Sequence, residues 1–414
     1  MIMYQNMKKI IFHDKNICGG LINFILLAVL LVCMTACGTE QEGVQEEQAV
    51  AGFTEDDARP PAAPDRTALG DPVRIPLSYA EQYTLDRYDQ GYVLITIAGK
   101  DRFLVVPKGM QAPENLKSDI AVIYQPADHI YLVASAAMDM FRSLDGLDAI
   151  RLSGTDADGW CMEEVTEAME SGDILYAGKY NAPDYELILS EGCHLAIENL
   201  MIDHSPEVRE KLESLGIPVM VDYSSYESHP LGRVEWVKLY GVLLGKEAEA
   251  EAAFSEQMQI LGKIEKENVE YETEQKTVAF FYITNNGAAN VRKSSDYVPK
   301  MIELAGGKYI FDKLGDEESH SSTLTMQIEE FYAAAKDVDY IIYNSTIDGE
   351  LETVDELLDK CGLLADFRAV QEGNVYCTTR NLYQESMSIG YMIDDIHKML
   401  VDDEGMRYLY RLLN

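Results

Sequence analysis

Basic residues are scarce: 34 Lys and Arg stand against 71 Asp and Glu in 414 residues, a formal net charge of −37. A phosphate backbone is met by clustered Lys and Arg, so this balance argues against a nucleic-acid partner. Long apolar runs are missing beyond the amino-terminal segment. No internal stretch reaches the roughly 18 residues a spanning helix needs, and the body reads as soluble. Cysteine is sparse, and its seven copies form no CxxC pair, which leaves zinc-ribbon and thioredoxin-like readings without support. The seven histidines make no HxH or HxxxH, so spacing gives no metal site. There is neither a G-x-S-x-G elbow nor a P-loop, which demotes a surface hydrolase to a rival reading.

What is present begins with an export signal. Lys8, Lys9 and Lys15 precede the apolar run Leu21–Val32, and Thr35-Ala36 places small residues just before Cys37. A basic region, an apolar core and a small-residue cleavage site describe a signal peptide over residues 1–36. The end of this segment resembles a lipobox, with Met34 in the place of the more usual Leu. Cys37 is therefore expected to carry the lipid that holds the chain to the extracytoplasmic face of a cell membrane. An ordinary signal with an incidental cysteine is the bland alternative. Removing residues 1–36, which carry three Lys and one Asp, leaves a net charge of −39. Four cysteines besides Cys37 remain, at 161, 193, 361 and 377, and their pairing is open.

Residues 37–72 are acidic and Pro-rich, with Glu40–Glu47 and Arg59–Pro64. They bury too little apolar surface to offset ordering and read as a flexible tether. Folded patterning starts near residue 73. Tyr83–Pro107 alternates around Gly99-Lys-Asp101, a β-hairpin signal. Short apolar strands and amphipathic helices then alternate, as in βαβ units with a mostly parallel sheet. Phe254, Met258, Leu261 and Ile264 place one apolar face on a long helix, on the order of 35 Å over 246–270. The alternation restarts after it, so the expectation is an α/β fold: one lobe over 73–245, a bridging helix over 246–270, and a second lobe over 271–414.

At this point the chain resembles the iron-siderophore, heme and cobalamin family of substrate-binding proteins of ABC importers. The resemblance runs over about residues 125–412. It rests on Val133–Met138, Leu147–Ile150, Tyr185–Ser190, Leu212–Val219, Leu244–Ala248, Met301–Gly307, Val338–Ile342 and Phe367–Tyr376. Departures are His194, where the family often has Asp, and Asp337-Val-Asp339 in place of a Pro-Asp. The resemblance implies two lobes joined by a rigid helix, a cleft that changes little on binding, and no catalysis. It implies a ligand carrying iron or cobalt, with no cofactor of the protein's own, and an importer permease and ATPase as partners. A sensor or adhesin using the same fold is a further alternative.

Open α/β sheets bind ligands outside the carboxyl ends of their strands. Those loops hold Ser135 and Met138, Lys179 and Tyr180, Tyr223, Tyr226, His229 and Arg233, Asn285, Asn286 and Arg292, Asn344, and Arg380, Asn381 and Tyr383. Arg pairs carboxylates and Tyr packs on flat surfaces, which suits a bulky anionic metal chelate. Arg233, Arg292 and Arg380 lead, with Tyr180, His229 and Tyr383 beside them. His229 is the one histidine offered as an iron or heme ligand. His194 reads as a core histidine, and Met138 and Met140 as core methionines. Glu186 and Glu329 each open a helix, with Asp184 and Thr325 as expected N-caps; in the family such glutamates dock the permease. Glu330 rivals Glu329. A carboxylate favouring the helix dipole is the plain alternative for both.

Overall fold

The computed structural model describes residues 69–414 apart from 271–274 and 316–321. The export signal, Cys37 and all but the last four residues of the tether therefore lie outside the described residues. Leu69 already packs against a small cluster around Tyr88 and Tyr92, so folded packing starts slightly before residue 73. Among the described residues no helix is long and apolar enough to cross a membrane.

The alternating amino-terminal segment makes more than a hairpin. Strands β1 (Val73–Ile75), β2 (Tyr83–Arg87), β3 (Val93–Ile97) and β4 (Asp101–Val106) form an antiparallel meander, and β5 (Ile120–Tyr124) adds parallel to β4. The two-residue period sorts the side chains by face. Val93, Ile95 and Ile97 enter the main core beside Tyr83 and Phe103. Leu94, Leu104 and Val106 fill the smaller cluster on the other side.

The first lobe follows the βαβ expectation. Strands β6 (Ile130–Leu132), β7 (Ile150–Ser153), β8 (Leu175–Tyr176), β9 (Leu195–Asn199) and β10 (Val219–Asp222) are all parallel, in the order β10-β9-β6-β7-β8. Helices α1 (Ser135–Ser143), α2 (Glu163–Ser171), α3 (Tyr185–Ser190) and α4 (Pro206–Ser214) supply the crossovers. A sheet covered on both faces takes continuous apolar strands such as Ile130-Tyr-Leu and Val219-Met-Val.

Helices α5 (Pro230–Glu235), α6 (Val237–Leu244) and α7 (Glu247–Glu270) lead to the second lobe. With 24 residues, α7 is about 36 Å long. Ala250, Phe254 and Ile264 are buried, and Met258 and Leu261 are half-buried, so the sequence pattern marks the packed face. It touches the amino-terminal sheet and the second lobe: Glu247 pairs with Arg87 at 3.3 Å, and Asn268 Nδ2 donates to the Leu304 carbonyl at 3.2 Å.

The second lobe departs from a parallel sheet. Its strands are β11 (Thr277–Ile283), β12 (Ala289–Arg292), β13 (Lys308–Tyr309), β14 (Thr323–Met326), β15 (Tyr340–Tyr343), β16 (Val375–Thr378) and β17 (Leu409–Arg411). The path runs β14-β12-β11-β15-β16-β17, with β13 also on β11. β11, β13, β15 and β16 pair parallel, while β12, β14 and β17 join antiparallel. The turn Thr284-Asn-Asn-Gly-Ala288 explains the first reversal. Gly287 takes φ +78° and the Thr284 N–H reaches the Ala288 carbonyl at 2.8 Å, which is hairpin chemistry. Helices α8 (Tyr297–Leu304), α9 (Ile328–Ala335), α10 (Val354–Lys360) and α11 (Ile389–Val401) cover this sheet. The lobes and the amino-terminal sheet share one contiguous apolar core.

Candidate functional site: the face between the lobes

Segments that follow β6, β7 and β10 in the first lobe meet those that follow β12 and β16 in the second. The segment after β16 makes most of the contact. Gln384 accepts from the Cys161 N–H at 2.8 Å and donates to the Gly159 carbonyl at 2.8 Å. The Ser386 hydroxyl donates to the Ala136 carbonyl at 2.7 Å. Asp139 on α1 accepts from the Met387 N–H at 2.8 Å and from Arg142 at 2.6 Å. Burial pushes the Asp139 carboxyl above its ordinary range, although Arg142 and the Met387 N–H pull the other way.

The three expected arginines are not equivalent. Arg233, half-buried on α5, donates to the Ser225 carbonyl and lies over the Tyr297 ring at 3.7 Å. It thus joins the first lobe to the start of α8. Arg292, at the end of β12, is buried rather than solvent-facing. It sits 5.1 Å from the Tyr383 ring centroid and 3.9 Å from Asp296. Tyr383 in turn accepts a hydrogen bond from Asn344 at 3.1 Å. Arg380 is exposed, and among the described residues its guanidinium has no hydrogen-bond or ion-pair partner. Arg233, Tyr297, Asp296, Arg292, Tyr383 and Asn344 form a connected series along this face, with the free cation of Arg380 three residues from Tyr383.

His229 does different work from that expected. Its Nδ1 accepts from the Leu231 N–H at 3.1 Å as the cap of α5, and its ring stacks on Tyr79 at 4.4 Å. Burial, followed by the Lys300 charge, lowers its pKa. With Nδ1 engaged and the ring stacked, it is a capping residue. Tyr180 is half-buried in the loop after β8 and packs against the core. Tyr223 is buried, whereas Lys179, Asn285 and Asn286 are exposed. Met138 and Met140 are fully buried core residues, as the sequence suggested.

His194 is not a core histidine. It precedes β9, its side chain is 65% exposed, and Nδ1 lies 2.6 Å from Asp128 Oδ1. The apolar run Leu195-Ala-Ile begins one residue later than the expected strand, and that single step moves the imidazole outside. Glu186 and Glu329 are exposed in the first turns of α3 and α9, as is Glu330. Asp184 caps α3 by accepting from the Leu187 N–H at 3.0 Å. Thr325 does not cap α9, because it belongs to β14 and Gln327 takes the cap position without a side-chain bond. Cys161, Cys193, Cys361 and Cys377 are free thiols. Sequence reasoning missed Tyr297 and Gln384. Asp296 as an N-cap (Val298 N–H at 2.9 Å) was the available sign of a helix start beside Arg292.

Two α/β lobes meeting at the carboxyl ends of their strands, with a long helix between, define a solute-binding architecture. A match to the periplasmic binding protein family covers residues 144–382, and the chain belongs to that family. An uncharacterized lipoprotein of Methanocaldococcus jannaschii is 26% identical over 349 residues, covering 81% of this chain and 86% of its own. A second from the same organism is 25% identical, covering 74% and 77%. Among solved structures, a periplasmic heme-binding protein of Pseudomonas aeruginosa has TM-score 0.54 at 16% identity, covering 69% of this chain and 98% of its own. An Fe3+-hydroxamate transport system structure from Saccharomonospora viridis has TM-score 0.50 at 17% identity, covering 66% and 93%. At such identities these structures bear on the fold alone.

Proposed function

We propose that this chain is an extracytoplasmic solute-binding protein, anchored by a lipid on Cys37, that captures an anionic iron or cobalt chelate and hands it to an ABC importer. The observation that carries the reading is the exposed, unpartnered Arg380 on the segment that contacts the first lobe, three residues along the chain from Tyr383, whose ring lies 5.1 Å from the Arg292 guanidinium. A cation held next to aromatic rings suits a ligand that pairs carboxylates with flat or bulky organic surface. Structural neighbours named for heme binding and Fe3+-hydroxamate transport fit the same class. The capping role of His229, with Nδ1 engaged by the Leu231 N–H, argues against iron coordination through that nitrogen. Glu186 and Glu329, exposed on separate lobes, are the permease-docking pair.

The test is a binding screen of the full chain with ferric siderophores, heme and cobalamin, followed by Arg380→Ala with the ligand that binds. Loss of a charge-assisted bond weakens binding by about 1–3 kcal/mol. Failure of all three ligand classes, or unchanged affinity in the variant, refutes the reading. Membrane fractionation of Cys37→Ala checks the anchor, which is refuted if the variant is lipid-labelled and retained as before.

A further inference from the structure

A cavity of about 750 Å³ lies away from the face between the lobes. It lies at the opposite, amino-terminal end of the first-lobe sheet, with Asp128, His129, Asp148, Arg151 and Lys246 in its lining. Beside it stand three side chains that sequence spacing could not join. Ile130 and Leu195 are registered partners on the adjacent parallel strands β6 and β9. His129 and His194 each stand one residue before them, so two imidazoles separated by 65 positions become neighbours. Their ring centroids are 5.3 Å apart, and the His194 N–H donates to the His129 carbonyl at 3.1 Å. Asp128 Oδ1 lies 2.6 Å from His194 Nδ1 and 3.4 Å from His129 Nδ1.

We infer that Asp128, His129 and His194 form a divalent transition-metal site, taking Zn2+ or Cu2+, on the outer end of the first lobe. One ligand atom from each residue lies within 4.8 Å of the others. Metal–ligand bonds of about 2.0–2.2 Å in a tetrahedral arrangement bring ligand atoms to roughly 3.4 Å apart. Movements of about 1 Å achieve that, and all three side chains are exposed. Two imidazoles with one carboxylate suit Zn2+ and Cu2+ over Mg2+ or Ca2+, and three protein ligands leave positions open beside the cavity. Cys193 is adjacent in sequence but is not a fourth ligand. Its thiol is buried against the Leu195 carbonyl, and burial raises its pKa to about 11.

The site is separate from the chelate-binding face, so its test does not depend on the proposed solute. Tag-free full chain, with thiols alkylated and metals stripped, is titrated with Zn2+ by calorimetry and loaded with Cu2+ for electron paramagnetic resonance. One ion per chain and hyperfine coupling to two imidazole nitrogens are expected. His129→Ala, His194→Ala and Asp128→Asn should each weaken binding at least tenfold, with unchanged circular dichroism and thermal midpoint in the metal-free state. Metal and protons compete for the same nitrogens, so affinity falls in acid. The inference is overturned if stoichiometric binding survives in the His129→Ala/His194→Ala double variant. It is equally overturned if the wild-type chain shows no saturable site or the spectrum lacks imidazole coupling.

Discussion

Replacing Glu235 should detach the amino-terminal sheet from the first lobe. The carboxylate is fully buried on α5 and accepts from three consecutive backbone N–H groups: Ser78 at 2.9 Å, Tyr79 at 2.7 Å and Ala80 at 2.9 Å. Glu227 continues the pattern, taking Glu81 and Gln82 N–H at 2.9 and 3.0 Å and the Trp236 indole N–H at 2.9 Å. Five successive amides between β1 and β2 are thus satisfied by two side chains rather than by a strand partner. Lys238 pairs with Glu235 at 3.1 Å and also with the exposed Glu251 at 3.0 Å, so it keeps a partner when Glu235 is lost. In Glu235→Ala three backbone N–H groups in part-buried hydrogen bonds lose their acceptor. Each costs about 1–3 kcal/mol, and removing one member of a buried charge pair costs about 3–5 kcal/mol as a whole. Water entering the gap offsets part of this, so about 3 kcal/mol is the expected loss. Urea unfolding measures it, and hydrogen exchange at residues 78–82 locates it. An unchanged urea midpoint with undiminished protection at those amides refutes the reasoning.

Two further outcomes follow from named residues. Glu198 lies in β9 with neither carboxylate oxygen bonded to protein, and burial raises its pKa to about 8. The folded state therefore holds a proton that the unfolded state releases near 4.5. Stability from this group is full below that value and is lost as pH rises toward 8, at up to about 1.4 kcal/mol per pH unit. Glu198→Gln should flatten that slope, and an unchanged pH profile of urea midpoints counts against it. Glu186→Ala combined with Glu329→Ala should leave chelate affinity and fold intact while abolishing ligand-stimulated ATPase of the importer in vesicles. The loss of two exposed helix-start carboxylates costs at most about 1 kcal/mol each, and full stimulation by the double variant reduces both to helix-dipole partners.

What the sequence made legible followed from local periodicity. The parallel first lobe was readable because each strand is a short apolar run separated from the next by a helical pattern. The bridging helix was readable because its buried positions recur every three or four residues. Pairing direction in the second lobe was less accessible. Asn285-Asn286-Gly287 was read as part of a ligand loop, when the same residues form the turn that reverses β12 against β11. The amino-terminal sheet was undercounted because β1 and β5 are defined by partners, not by their own alternation. Burial of individual loop residues was the least legible of all. His194 faces outward because β9 starts one residue later than expected, and Arg292 is buried because it ends β12, a strand the sequence reading had as loop.

The contacts between the lobes bear on how a ligand is admitted. A hinge opening of the binding face would break the Asp139–Met387 bond, both Gln384 bonds, the Ser386–Ala136 bond and the stacking of Arg233 on Tyr297. Four neutral or singly charged hydrogen bonds and one cation–π contact amount to several kcal/mol at about 1 kcal/mol each. Behind them α7 resists the same motion. Gly390 on α11 donates its N–H to the buried Gln257 side chain at 2.9 Å, and a Cβ at Gly390 would fall 2.5 Å from that Gln257 oxygen. The helices are therefore in backbone-close contact, leaving little room for one to slide past the other. His397 adds a 3.0 Å contact to Glu267 near the far end of α7. A ligand whose binding energy is spread over one cationic and a few aromatic groups gains little from separating lobes tied in this way. Movement of the exposed Arg380 side chain breaks none of these bonds, and under the proposed function it is a lower-energy route to a ligand than a change in the angle between lobes.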